Sequence, residues 1–166
     1  MLEKCRILYK GDMIAGSFYL FVGLVLLLFA GILHYTTESL GFHYLSIGFF
    51  MFFLYSMGKG VVIFFLSRQR YNFYLHLNSL TKPILEDETT YTEFRIKKKN
   101  INRRRYVWIM VICSVVAFLG IFSRQKGLIM GTAIPIALIS GIEFGIGLLN
   151  EFRLREYMRL LLKRAE

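Results

Sequence analysis

The sequence predicts an all-α polytopic membrane protein: four transmembrane helices with helical cytoplasmic extensions, and both termini in the cytoplasm. Three observations predict it. Hydrophobic residues make up 55% of the 166. They gather into four blocks long enough to cross ~30 Å of hydrocarbon as helices, instead of recurring at the period of a half-buried helix or strand. The basic residues lie almost wholly on one side of those blocks. Helices are favoured over barrel strands because the blocks are continuously apolar, and a helix satisfies its own backbone within lipid.

Residues 1–13 form a cytoplasmic N-terminal segment carrying Lys4, Arg6 and Lys10. Residues 14–66 form the first transmembrane hairpin. Its spans are Ile14–Leu33 and Phe42–Leu66, joined across the polar stretch His34–Ser39. The first block lacks a small-x-small cleavage site before that turn, so it reads as a retained anchor. Residues 67–105 form a basic cytoplasmic loop, partly helical. Residues 106–149 form the second hairpin, with spans Tyr106–Phe122 and Leu128–Leu149. Residues 150–166 form an amphipathic cytoplasmic helix. Eighteen Lys/Arg fall in the three segments assigned to the cytoplasm, against Arg124 and Lys126 on the other side. That asymmetry sets the orientation. Tyr35, Phe42, Tyr44, Tyr106 and Trp108 lie near span ends, where aromatic belts are expected.

The last segment places Leu154, Tyr157, Met158, Leu161, Leu162 and Ala165 on one helix face. Glu151 precedes Arg155 by four positions, the favourable order for an i,i+4 pair. Phe73, Tyr74, Leu77 and Leu80 make a shorter stripe. Lys82-Pro83 ends it, because the residue before a proline avoids the helical region. Ile84–Thr92, with the run Glu86-Asp87-Glu88-Thr89-Thr90, reads as an acidic loop, and the helix resumes from Glu93. The two stripes are expected to pack on each other instead of lying on the membrane surface.

Lys59 and Glu143 are the charges that stand out, each inside an apolar span. Counted from Ser67 and Asn150, they lie ~12 Å and ~10 Å within the same boundary. An unpaired charge there costs roughly 2.5–3.5 kcal/mol, so the two are expected to form an intramembrane ion pair. Ser56 and Ser140, three residues before each charge, are placed to solvate it. Gly127-x-x-x-Gly131 and Gly141-x-x-x-Gly145 supply small faces for helix packing or oligomerisation, and Gly58 and Gly60 flank Lys59. Pro135 is expected to kink the fourth span.

Lys97, Lys98, Lys99, Arg103, Arg104 and Arg105 form the densest basic cluster. Beside a span, such a cluster anchors topology and touches anionic lipid headgroups, or a soluble cytoplasmic protein or nucleotide partner. Nucleic acid is not an expected partner, because most of the +10 net charge is topology signal. No metal site is expected: His34 and His43 flank one turn, but two ligands are too few. Cys5 and Cys113 have no redox or metal spacing. No catalytic motif is found and no cofactor is implied.

These features point to a non-enzymatic, self-associating four-helix membrane protein. It reads as a pore-like, effector or scaffold subunit of a bacterial inner (plasma) membrane that engages a cytoplasmic partner or ligand through basic helices. Small tetraspan effectors of bacterial anti-phage systems are similar in plan, a similarity of architecture only. The alternatives are a small proton- or ion-coupled transporter using Glu143, and a membrane enzyme acting on lipophilic substrates.

Overall fold

The computed structural model describes residues 2–77, 79 and 81–163, together with the backbone of 164–165. Leu80 of the second stripe and the Ala165 side chain of the last lie outside the described residues. Four helices account for nearly everything: α1 (Leu2–Thr36), α2 (Leu40–His76), α3 (Lys82–Gly120) and α4 (Lys126–Ala165). Their 35 to 40 residues make each roughly 50–60 Å long, well beyond the thickness of a bilayer core. Short connections force neighbours antiparallel. α1 packs along α2, α3 along α4, and α2 joins the two hairpins by lying along α4.

Three helices, α1, α2 and α4, are long and apolar enough to cross a membrane. α3 is different: it ends at Gly120, fifteen residues after Arg105. Its apolar part is therefore about 22 Å long. Around the middle of the bundle, Phe18, Phe21, Leu28, Phe65 and Trp108 are each more than half exposed. So large an apolar surface fits lipid and not water.

Where helix backbones approach, glycine makes room. A Cβ on Gly16 would lie 2.8 Å from the Phe64 backbone nitrogen, and one on Gly60 3.0 Å from the Gly16 carbonyl oxygen. These two residues bring α1 against α2. Gly131 does the same between α4 and α2: its Cβ would meet Tyr44 Cβ at 2.7 Å and the Gly41 carbonyl oxygen at 3.0 Å. One turn on, the buried ring of Pro135 fills the space over Gly48. α4 remains helical through Pro135.

At the end of the bundle that carries both termini, the helices share a second core. α1 gives Cys5, Leu8 and Tyr9, α2 gives Tyr74, and α4 gives Leu154, Tyr157 and Leu161. Leu77, Ile84, Leu85, Ile96 and Met158 pack around them. The two stripes do pack on each other, but Phe73 and Leu162 point outward and α1 contributes as much as either. Arg6 of α1 ties down the end of α2, donating to the carbonyls of Tyr74 (2.9 Å), Leu75 (3.1 Å) and Leu77 (3.3 Å). A cation on the last carbonyls of a helix satisfies groups the helix cannot and matches its dipole.

The segment read as an acidic loop, Ile84–Thr92, is helix. Lys82-Pro83 begins α3 instead of merely ending the preceding stripe, with Thr81 as N-cap and Pro83 in the first turn, where its missing N–H costs nothing. Thr89 and Thr90 bond back to the carbonyls of Leu85 and Glu86, keeping their hydroxyls within the helix.

Candidate functional site

α2 and α4 bring Lys59 and Glu143 together as an ion pair within one chain. Glu143 is buried, and Lys59 is about one-fifth exposed. Aromatic rings complete the cation's surroundings: Lys59 Nζ lies 4.7 Å from the ring centroid of Tyr19, 5.5 Å from Tyr55 and 6.0 Å from Tyr106. It also donates to the Tyr55 hydroxyl at 3.3 Å, which pairs with that of Tyr106 at 3.0 Å. Two buried polar atoms at this spot, Glu143 Oε1 and the Tyr19 hydroxyl, have no hydrogen-bond partner among the described residues. The serines do not solvate the charges. Ser56 donates to the Tyr19 carbonyl at 2.7 Å, pinning α2 to α1, and Ser140 donates to Ile136 of its own helix at 2.8 Å.

Lys59 also lines a cavity of about 630 Å³, within the range of small-molecule sites. The cavity lies between the α1–α2 hairpin and α3, which approach each other less closely than the packed helix pairs. Arg95, Lys98 and Lys99 of α3 form its basic wall, and Tyr91 and Phe94 of the same helix line it beside them. Leu54, Val62 and Leu66 of α2 form an apolar wall. Arg95 is bound to Asp12 at 2.6 Å. Lys98 and Lys99 make no ion pair among the described residues. Burial, and then the nearby charges of Lys59 and Arg95, push the Lys99 ammonium below its usual range. Desolvation leads that shift, and the like charges of Lys59 and Arg95 add to it.

Nearer the termini, Glu88 is completely buried and holds all four helices. Its Oε1 accepts from Tyr9 of α1 at 2.6 Å and from Tyr157 of α4 at 3.0 Å. Its Oε2 accepts from Tyr74 of α2 at 2.6 Å and from Arg70 at 3.3 Å. Two donors on each oxygen fill the lone pairs of an ionised carboxylate. The rings of Tyr9 and Tyr74 stack, with centroids 5.6 Å apart. Arg70 lies over Tyr91, 4.0 Å from its centroid. Burial and the carboxylate's charge push Tyr9, Tyr74 and Tyr157 above the ordinary tyrosine range, so they stay protonated donors. Tyr157 also sits 2.9 Å from the buried thiol of Cys5.

Sequence reasoning did not single out Glu88. The signal was its spacing: Leu85, Glu88, Thr92 and Ile96 recur on one helix face, with the glutamate in a core position.

The basic cluster divides. Lys99, half-buried, and Lys98, exposed, line the cavity, whereas Lys97, Arg104 and Arg105 are exposed and do not line it. Arg103 turns to α4 and binds the buried Glu151 at 2.8 Å; Glu151 also binds Arg155, its i,i+4 neighbour, at 2.7 Å. The glycines divide too. Gly127 and Gly131 face α2, Gly141 faces only Met110, and nothing lies within 4 Å of a Cβ built on Gly145 or Gly147. Of the pair flanking Lys59, Gly60 faces α1 while Gly58 lines the cavity. The rings of His34 and His43 meet at 3.4 Å between Nδ1 atoms, and no group of three metal-ligating side chains forms among the described residues. No protein-family model, curated protein or solved structure matches the chain.

Proposed function

We propose that this chain is a non-enzymatic, self-associating membrane protein that engages a ligand at its basic end. In this reading α3 is the fourth span from Tyr106, anchored by Arg103–Arg105, and both termini lie in the cytoplasm. The chain then acts as a pore-like, effector or scaffold subunit of a bacterial inner membrane. The observation that carries the reading is the cavity at the junction of the apolar and basic parts of the bundle, where Lys98 and Lys99 have no anionic partner among the described residues. A bundle held together only for its own stability has no need of such a cluster, because like charges facing one space are unfavourable. Self-association has separate support. A Cβ on Gly145 meets nothing within 4 Å and one on Gly141, a turn earlier on the same face, meets only Met110, so α4 keeps a small-residue face that the chain's own helices barely cover.

The test is the mass of the full-length particle in nanodiscs, by native mass spectrometry. A defined oligomer is the expected result, and a strict monomer overturns the self-associating reading. Accessibility labelling of single cysteines at 97–105 checks the orientation, with protection in intact cells expected.

One observation favours a second reading, a proton- or ion-coupled transporter. Glu143 Oε1 has no hydrogen-bond partner among the described residues although its carboxylate neighbours a cavity-lining lysine. Such a transporter loses coupled flux in Glu143→Gln, whereas a ligand-engaging subunit keeps its binding.

A further inference from the structure

The cavity has a vertical order that narrows its ligand. Lys59, Val62 and Leu66 lie along α2 toward Ser67, the boundary of the apolar stretch, and all four line the cavity. Lys59 is ~12 Å inside that boundary. Arg95, Lys98 and Lys99 belong to the part of α3 that precedes its apolar stretch. A single space is therefore basic at one level and aliphatic at the next. Its aliphatic wall is not closed off: Leu54, Val62 and Leu66 are each at least half exposed, so it continues onto the lipid-facing side of α2. Phe94, also more than half exposed, stands at the opposite edge on α3.

A soluble nucleotide would use the cations and leave the aliphatic wall bare. An amphiphile uses both, in the order in which a membrane presents them. We propose that the cavity is a lateral lipid site, holding the phosphate of an anionic phospholipid against Lys98, Lys99 and Arg95 while its acyl chains leave between α2 and α3 along Leu54, Val62 and Leu66. Charge complementarity supports this occupant: the phosphate supplies the negative charge that the two unpaired lysines lack. The Lys99 ammonium, held down by burial beside Lys59 and Arg95, regains its proton affinity when the phosphate arrives. The site differs from a general attraction of basic residues to the membrane, because Lys97, Arg104 and Arg105 take no part in it. It rests on the ligand-engaging part of the proposed function and not on self-association.

The experiment titrates the full-length protein in detergent with phosphatidylglycerol, phosphatidylcholine or ATP, and counts bound molecules by native mass spectrometry. Phosphatidylglycerol is expected to bind about tenfold more tightly than phosphatidylcholine, the value of one charge-assisted contact. Lys99→Met is expected to abolish that preference, and Lys98→Met to weaken it. The double variant Arg104→Ala/Arg105→Ala is expected to keep it within about twofold, as rim charges do. Lys99 is half-buried and pairs with no anion among the described residues, so Lys99→Met strands no partner, and a matching heat-denaturation midpoint verifies this. Equal binding of the two lipids overturns the proposal, and so does an equal loss in the Arg104/Arg105 variant. Lys99-dependent binding of ATP without a lipid preference overturns the lipid assignment and leaves the ligand site standing. Binding of none of the three overturns both, while the particle mass still decides self-association.

Discussion

Tyr9 and Glu88, 79 positions apart in the chain, are joined by a buried hydrogen bond of 2.6 Å. This bond connects the start of α1 to the start of α3, and Tyr74 and Tyr157 connect the same carboxylate to α2 and α4. Glu88→Ala removes the acceptor shared by the three hydroxyls and Arg70. It is expected to destabilise the protein by about 3 kcal/mol or more, because buried donors are then left unpaired. Glu88→Gln keeps the shape but loses the charge and turns one acceptor into a donor. It should cost about 1–3 kcal/mol. Thermal unfolding in detergent, followed by circular dichroism, ranks the two.

Alkaline pH should loosen the same core. Tyr9, Tyr74 and Tyr157 titrate above the ordinary value of 10 when folded. A group whose folded pKa is raised contributes stability that is complete below its unfolded pKa and is lost as pH rises beyond it. Stability is therefore expected to fall above pH ~10. Tyrosinate absorbance should show these three residues ionising together with unfolding and not before it. Early, independent ionisation would contradict the burial described above.

Breaking the Lys59–Glu143 pair from either side should be costly, and breaking it from both sides should not. Lys59→Met leaves a buried carboxylate and Glu143→Leu leaves a cation, each expected to cost about 3 kcal/mol. The double variant should recover most of that, since an apolar pair of similar volume replaces the ions. The coupling energy from a double-mutant cycle is the measurement, and additive losses would mean the pair does not matter.

Two glycines of α4 should behave oppositely. Gly131→Leu places a side chain where the Tyr44 Cβ and Gly41 carbonyl already stand, so it should separate α4 from α2 and unfold the monomer. Gly145→Leu meets nothing in the chain and should leave the monomer's unfolding midpoint unchanged. A fall in particle mass with Gly145→Leu, at constant stability, would identify that face as an assembly surface.

Much of the architecture was legible because lipid imposes a coarse, one-dimensional code. Apolar blocks mark helices, and Lys59 and Glu143 are conspicuous against such a background. The helix of residues 84–92 was hidden by the opposite circumstance. An acid among Glu86, Asp87 and Glu88 reads as solvated, and what makes Glu88 a core residue is three tyrosines and an arginine from distant parts of the chain. Arg6 and Arg103 were concealed in a similar way. Both count toward the charge asymmetry, but Arg6 also caps α2 and Arg103 also binds Glu151. Hydropathy registers that such residues are basic, and only tertiary packing reveals which of them have partners.

The terminal core joins the earliest part of the chain to the latest: Cys5, Leu8 and Tyr9 close against Leu154, Tyr157 and Leu161. During synthesis, α1 and α2 can pair as soon as both have emerged, but the first residues must wait for the last. At ~5–20 residues per second, the 69 positions between Glu88 and Tyr157 take on the order of 3–14 s. Throughout that interval the glutamate can gather Tyr9, Tyr74 and Arg70 while one of its four donors has yet to be made. A nascent chain stalled before α4 would thus carry an unfinished polar core beside an inserted hairpin, which is the kind of exposed surface that quality-control proteases and chaperones act upon.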